Sequence, residues 1–476
     1  MKKKMFIVLF CISSFLFKSC TQKDVPEDNK VNNFIWKGLN AYYLWYDDMD
    51  DLQDSRFQTQ KEINNFTSSK TPNNLFESLL FERGTTDKWS WIVSDYIALE
   101  QYFSGITQNN GMEFGVKLIS SSSNQAFAFV KYIIPNSNAS TQNINRGDII
   151  YGINNTPLTE DNYRSLFLNN QTYTLNMGTL TINGGNAQVV SNGVDITLTK
   201  EILQENPVHK ITINEVEGHK IGYLCYNQFT SNYDTQLNDA FLQLKNENIT
   251  DLVLDLRYNS GGSVRTAIQL SSMITGQFSG ELLVKEKWNS KWQSYFENEK
   301  PEAIINNFVN KLHTGETLNS LGLHKITVLI SERTASSSEL IINGLIPYID
   351  VVLIGKKTTG KYVGSVTLYD SDNFRRTDDS LNPNHHYAMQ PLVLEIVNKL
   401  DENDKDGFEP NRYLPEDYTN MGILGDVNEP LFAEAIQEIL GFRRKNENTQ
   451  LPITFKSVFD SKEISQYHNT MYVNLK

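Results

Sequence analysis

Leu252-Val253-Leu254-Asp255-Leu256-Arg257-Tyr258-Asn259-Ser260-Gly261-Gly262 opens on a near-continuous apolar run and closes on a glycine pair. A run of that kind is expected of a strand buried on both faces, as in a parallel sheet covered by helices. Val264, Ala267, Ile268 and Leu270 then continue in helical register. Strand, glycine turn, helix is the repeating unit of an α/β core. The turn has chemical potential as well. Glycines let the backbone approach a ligand, and the amides at a helix start can bind an oxyanion, so Gly261 and Gly262 are candidate oxyanion donors. Alone, the pair is what any tight turn carries.

The same pattern recurs on both sides. Upstream, 221–226 reads as a strand and 235–246 as a helix, with Leu237, Phe241 and Leu244 on one face. Downstream, 288–316 reads as an irregular insertion. Strand Ile326-Thr327-Val328-Leu329-Ile330 then leads into Thr334-Ala335-Ser336-Ser337-Ser338-Glu339-Leu340 and another helix. Strand 351–355 leads into Lys356-Lys357-Thr358-Thr359-Gly360-Lys361. Each chemical turn stands at a strand's carboxyl end, where ligand chemistry collects in open α/β sheets. Ser336, at a strand-to-helix turn, has the placement of a nucleophile, with the Ser337 amide as oxyanion donor. Taken singly, a serine run reads as helix capping and Lys361 as a solvated loop residue.

Two further blocks precede this core. In 31–108, Phe34, Ile35, Trp36, Leu39, Tyr42, Tyr43, Trp45 and Tyr46 recur at helical spacing, which predicts a helix whose aromatic stripe is core. A second helix is expected after Thr71-Pro72, with Asn73 as its cap, and a loop over Arg83-Gly84-Thr85-Thr86-Asp87. Block 109–203 reads as short strands and turns, with a hairpin at Asn183-Gly184-Gly185-Asn186. Phe114-Gly115-Val116 as a turn, followed by Asn145-Arg146-Gly147-Asp148-Ile149-Ile150, resembles a bacterial PDZ domain. That likeness implies that the amides of Phe114, Gly115 and Val116 cradle a peptide's terminal carboxylate while the peptide adds as a strand.

Together the three core turns resemble the carboxyl-terminal processing, or tail-specific, serine peptidases. Leu254 to Gly262 is similar to that family's L-D-L-R-N-N-P-G-G. Thr334 to Leu340 is similar to S-A-S-A-S-E-I, whose nucleophile stands three places before the Glu, which selects Ser336. Gly355 to Lys361 matches G-x-K-T-x-G-K, whose last Lys is the general base. The family's Gln four residues on, thought to orient that Lys, is replaced by Ser365. The resemblance implies a multidomain α/β (α+β) protein: a helical N-terminal domain (31–108), a PDZ-like domain (109–203), a ClpP/crotonase-like peptidase core (204–445) and an extension (446–476). It implies a serine endopeptidase acting on protein or peptide substrates through Ser336 and Lys361, with Ser365 as substitute orienter and no metal or cofactor. A catalytically silent PDZ adaptor that binds protein tails is the alternative. The superfamily's Ser-His-Glu branch would call on His209 or His219, but the lysine motif speaks against it.

A free lysine with a pKa near ~10.4 is almost fully protonated at neutral pH. Burial without a carboxylate partner penalises the charged form, and a shift to ~7.5 takes about 4 kcal/mol. Neutral Lys361 can then take the Ser336 proton as the hydroxyl attacks a peptide carbonyl.

Composition agrees. The 476 residues are 39% hydrophobic and 21% charged, with 27 Gly and 13 Pro, which excludes collagen-like, coiled-coil and wholly disordered chains. A net charge of −13 argues against nucleic acid as a partner. Of three cysteines, only Cys225 lies in the body, so no disulfide between body cysteines and no Cys-rich metal site is expected. Asp401 to Gly407 mimics half a calcium loop, but Tyr413 stands where a twelfth-position Glu is needed, so a solvated loop is expected.

The first residues read as an address. Lys2-Lys3-Lys4 and the apolar run from Met5 form a secretory leader (1–19), too short to span a bilayer. Lys18-Ser19-Cys20 and the polar tract after it, a tether over 20–30, resemble a bacterial lipoprotein box with Cys20 as the lipidated residue. The residues equally fit a plain leader in which Cys20 is incidental. The expectation is an exported envelope protein, anchored by lipid to a bacterial membrane, with the outer membrane favoured.

Overall fold

The computed structural model describes residues 25–26, 29–442, 451–464, 467 and 469–475. The leader, Cys20 and most of the tether lie outside them. The centre is a six-stranded sheet in the order Val208–Val216, His219–Tyr226, Asp251–Asp255, Lys325–Ile330, Asp350–Gly355, Arg412–Tyr413. From the second strand onward neighbours are parallel, and only the first pair is antiparallel. The apolar run at 252–256 is indeed a central strand, with Leu252, Val253, Leu254 and Leu256 buried. Helices Asp234–Asn246, Val264–Thr275 and Ser337–Leu345 follow the strands and bury their apolar faces in one large core cluster. Parallel strands place their carboxyl ends on one edge, so the turns at 257–262, 331–336 and 356–361 are neighbours in space.

A second six-stranded sheet lies beside this edge. Its order is Gly262–Ser263, Met471–Tyr472, Val363–Ser365, Leu392–Asn398, Leu282–Trp288, Ile305–Asn307. The insertion expected to be irregular is partly regular. Ser290–Glu299 is a helix, capped by the Asn289 side chain on the Trp292 amide, and Trp292 stacks on Tyr42 at 5.1 Å. That contact with the aromatic helix Lys30–Tyr42 reaches far along the chain, so local periodicity does not show it.

The first block is helical as expected. Two details differ. Helix Pro72–Ser78 is capped by Thr71, whose Oγ1 accepts from the Asn74 amide, and not by Asn73. A further helix, Gln60–Thr67, precedes it. The block is joined to the core through strand Trp91–Val93, which pairs with Ala388–Gln390.

The middle block is a seven-stranded sheet that includes Met112–Leu118, Ala126–Ile133, Ile149–Ile153 and the long hairpin Thr172–Asn183 with Asn186–Thr199. Gly115 lies within strand Met112–Leu118 and not in a turn; a Cβ there would come within 2.5 Å of the Phe129 ring. The seventh strand, Ser457–Asp460, comes from after the core.

Arg257 joins this block to the core. Its side chain is fully buried and meets Asp255 at 2.9 Å, Glu429 at 2.7 Å and Glu416 at 3.3 Å. Glu416 also takes Arg146 of the middle block at 2.7 Å.

Candidate active site

Ser336 sits between strand Lys325–Ile330 and helix Ser337–Leu345 with φ +65° and ψ −118°. That region is costly for any residue with a Cβ, and such strain collects where surrounding structure forces it. The forcing contacts are visible. The Ser336 amide donates to Glu339 Oε2 at 2.8 Å. The Ala335 amide donates to the Asn259 carbonyl, Ser337 Oγ to the Gly262 carbonyl at 2.8 Å and Ser338 Oγ to the Asn259 carbonyl at 3.0 Å. The serine run thus stitches the helix start to the glycine turn. Ser336 Oγ itself is buried and has no hydrogen-bond partner.

The glycine turn faces it. Gly261 and Gly262 have φ of +107° and +137°. The place a Cβ would take on Gly261 is 2.7 Å from Ser336 Oγ, and on Gly262 it is 2.3 Å from the Phe229 carbonyl oxygen. Only glycine fits both. The two amides differ, however. That of Gly261 donates to Asn259 Oδ1 at 2.9 Å, which occupies it and corrects its candidacy as an oxyanion donor. Gly262 and Ser337, the latter in the first helical turn whose amides lack intrahelical partners, remain the candidates.

Lys361 is buried beyond strand Asp350–Gly355. Burial lowers its ammonium to about 7, against the pull of Asp87 and Glu339. Its Nζ stands 5.7 Å from the centre of the Trp89 ring, so the first block supplies part of the wall. In this arrangement Nζ donates to the Asn469 carbonyl. Ser365 does not reach it. Ser365 Oγ lies 2.6 Å from Gln390 Oε1 and 3.1 Å from the Met471 carbonyl oxygen, so its expected orienting bond to Lys361 is not made here.

Sequence reasoning used Glu339 only as a counting mark. Its buried carboxylate takes the amides of Ser336 and Lys361 on Oε2, both at 2.8 Å, and the Gly360 amide (2.7 Å) and Thr358 Oγ1 (2.6 Å) on Oε1. Burial raises its pKa above the ordinary carboxylate value, while these four donors pull the other way, toward the ionised form. One carboxylate therefore positions both the serine and the lysine turns. The legible signal was its place three residues into a helix, where acidic side chains reach back to the cap.

The histidines lie elsewhere. His219 Nδ1 pairs with Asp251 at the amino ends of adjacent parallel strands, the edge opposite Ser336. His209 is held near 4 by burial and by Lys462, and it packs on Tyr132. Among the described residues no cluster of His, Cys, Asp and Glu could hold a metal. Asp404 to Gly407 packs on the lysine turn, with the Thr358 and Phe408 backbones bonded.

Phe114, Gly115 and Val116 are buried and already paired. Val116 stands opposite Phe459 and Gly115 opposite Asp460, and the Phe114 amide donates to Ser461 Oγ at 2.9 Å.

Comparison with known proteins agrees with this layout. The profile of peptidase family S41 matches residues 220–377, that of the S41 N-terminal domain 30–91 and that of the PDZ domain 106–165. A carboxyl-terminal-processing protease from a Picosynechococcus species is 26% identical over 244 residues, 51% of this chain and 50% of that protein. The chain spans about half the length, or less, of the curated relatives it matches. A crystal structure from Bacteroides fragilis assigned to the S41 proteases superposes with a TM-score of 0.67 at 24% identity, covering 86% of this chain and 97% of the other. The photosystem II D1 C-terminal processing protease gives 0.50 at 16%, covering 86% and 99%. The chain carries a peptidase family S41 domain, the N-terminal domain that accompanies it and, between the two, a PDZ domain.

Proposed function

We propose that the protein is a serine endopeptidase that cuts protein or peptide substrates with Ser336 as nucleophile and Lys361 as general base. The observation that carries this reading is a single one. A strained, buried serine faces a glycine turn, and the carboxylate that holds it also holds a lysine whose ammonium is lowered to about 7. Neutral Lys361 takes the hydroxyl proton as Oγ bonds to the peptide carbonyl carbon. The amides of Gly262 and Ser337 receive the oxyanion. Lys361 then returns the proton to the leaving amine, and water releases the acyl group by the reverse exchange. Hydrolysis of a denatured protein, absent in Ser336→Ala, tests it. Peptide binding without cleavage by the wild-type chain would favour the adaptor.

Glu339→Gln should lower kcat by about 10²-fold with little change in KM, because misplacement of reacting groups by an ångström costs that much. A carboxamide offers one accepting oxygen and turns N–H groups on two of the four donors. Steady-state kinetics should show that fall in kcat, and the melting temperature should drop as well, because two buried donors lose their acceptor.

The domain order is preceded by the leader and lipoprotein-like box, so we place the enzyme in the cell envelope, anchored through Cys20. No helix among the described residues is long and apolar enough to cross a membrane. Cys20→Ala should move the protein from the membrane to the soluble fraction; unchanged partitioning would refute the anchor.

A further inference from the structure

One run of chain fills both the peptide-recognition edge and the catalytic cleft. Ser457–Asp460 adds antiparallel to Met112–Leu118. It is clamped from the other side by helix Tyr163–Leu168, where Tyr163 Oη donates to the Val458 carbonyl at 3.2 Å. Phe459 is buried, with ring centres of Phe114 and Tyr163 at 6.2 and 5.3 Å and the Arg164 guanidinium at 5.1 Å. Asp460 takes Lys131 at 2.7 Å. This is how an added peptide strand binds: backbone pairing at a sheet edge and a pocket for alternate side chains.

Farther on, Met471–Tyr472 lies as a strand between two elements of the site. It runs parallel to Gly262–Ser263, with Met471 opposite Gly262, and Tyr472 stands opposite Ser365. Tyr472 stacks on Phe103 with centres 4.5 Å apart. The Thr470 carbonyl oxygen is 2.7 Å from the same Gly261 Cβ position that is 2.7 Å from Ser336 Oγ. Asn469 holds the Lys361 ammonium. The base thus donates to this segment while the nucleophile has no partner.

We propose that residues 457–464 and 469–473 act as an autoinhibitory strap, an internal peptide whose two stretches occupy the recognition groove and the cleft and draw the Lys361 ammonium to Asn469 while Ser336 Oγ has no partner. The proposal rests on the peptidase reading for its consequence, but its seating can be measured without catalysis. A substrate must present an extended strand able to displace the strap from both places, with a bulky aromatic side chain for the Phe459 pocket.

The test uses the full chain with Phe459→Ala and Tyr472→Ala combined, which removes both anchoring rings and leaves the backbone. Loss of two buried aromatic contacts shifts the seated population enough to raise hydrolysis of a denatured protein by about tenfold or more. In parallel, a fluorescein-labelled peptide of residues 455–475 is titrated by anisotropy against the Ser336→Ala chain with and without the two ring substitutions. Tight binding only to the ring variant supports the strap, even if no form of the protein cleaves anything, in which case the peptidase reading alone fails. Equal binding to both chains overturns it, and so, where the wild-type chain hydrolyses the protein, does an unchanged rate in a ring variant that is folded by circular dichroism. Release of a fragment beginning at Thr470 or Met471 as activity appears also overturns it, making the segment a substrate consumed once.

Discussion

Ser336→Ala and Lys361→Ala each abolish hydrolysis of a denatured protein, by about 10⁴-fold or more, and the double variant is scarcely worse than either. Two residues that act as one catalytic unit are not additive. Ser336→Ala should keep the wild-type melting behaviour to within a small margin, whereas Lys361→Ala empties the space of a fully buried side chain and should melt lower while remaining folded. The pH profile follows from the lysine. Buried Lys361 is lowered to about 7, and under the proposed mechanism its neutral form is the active one. The rate should therefore rise with pH through about 7 and level above it, where the acidic limb has ended. Persistence of that limb in a Lys361 variant with residual activity would point to another base. Retained full activity would return His209 or His219 to consideration, against their placement.

Arg257→Met should destabilise the chain by about 3–5 kcal/mol, because removing one partner of a buried ion cluster strands the others. Asp255 and Glu429 lose the guanidinium at 2.9 and 2.7 Å, while Glu416 loses its 3.3 Å contact and keeps Arg146 at 2.7 Å. The dependence on pH should weaken. In the wild type, burial pushes Glu416 up, but Arg146 and Arg257 overcome that and hold it near 2. Its contribution to stability is present above the ordinary carboxylate range and lost as pH falls toward 2. In the variant Glu416 keeps Arg146 but loses Arg257, so its depression is smaller and the loss of stability on acidification should be shallower than in the wild type. Denaturant melts at pH 4 and pH 7 measure both effects; a variant as stable as the wild type at pH 7 refutes the account.

What the sequence made legible was local. A buried strand announces itself at 252–256, and a glycine pair or a serine run just beyond such a strand marks where a turn meets the carboxyl edge of a sheet. Hence Ser336, Lys361 and Gly262 could be named from the chain alone. Partnerships across the chain could not. Glu339 served only as a counting mark, yet three of its four donors belong to Thr358, Gly360 and Lys361. Ser365 stood at the right spacing for a bond to Lys361, but Gln390 competes for its hydroxyl from a strand of another sheet. Gly115 reads as a peptide-binding turn only through the resemblance to a PDZ domain; in the fold it is a strand residue crowded by the Phe129 ring. Ser457–Asp460 is four residues long, too short for any period, and its meaning lies entirely in the edge it joins.

The left-handed backbone at Ser336 also sets activity against endurance. At φ +65° a Cβ costs about 1–3 kcal/mol, a burden glycine alone would escape. Ser336→Gly should therefore melt higher than the wild type, whereas Ser336→Ala, which keeps its Cβ, should gain nothing. Engineering for thermal durability alone would replace this serine first, so the position separates a variant chosen for toughness from one that keeps the proposed nucleophile.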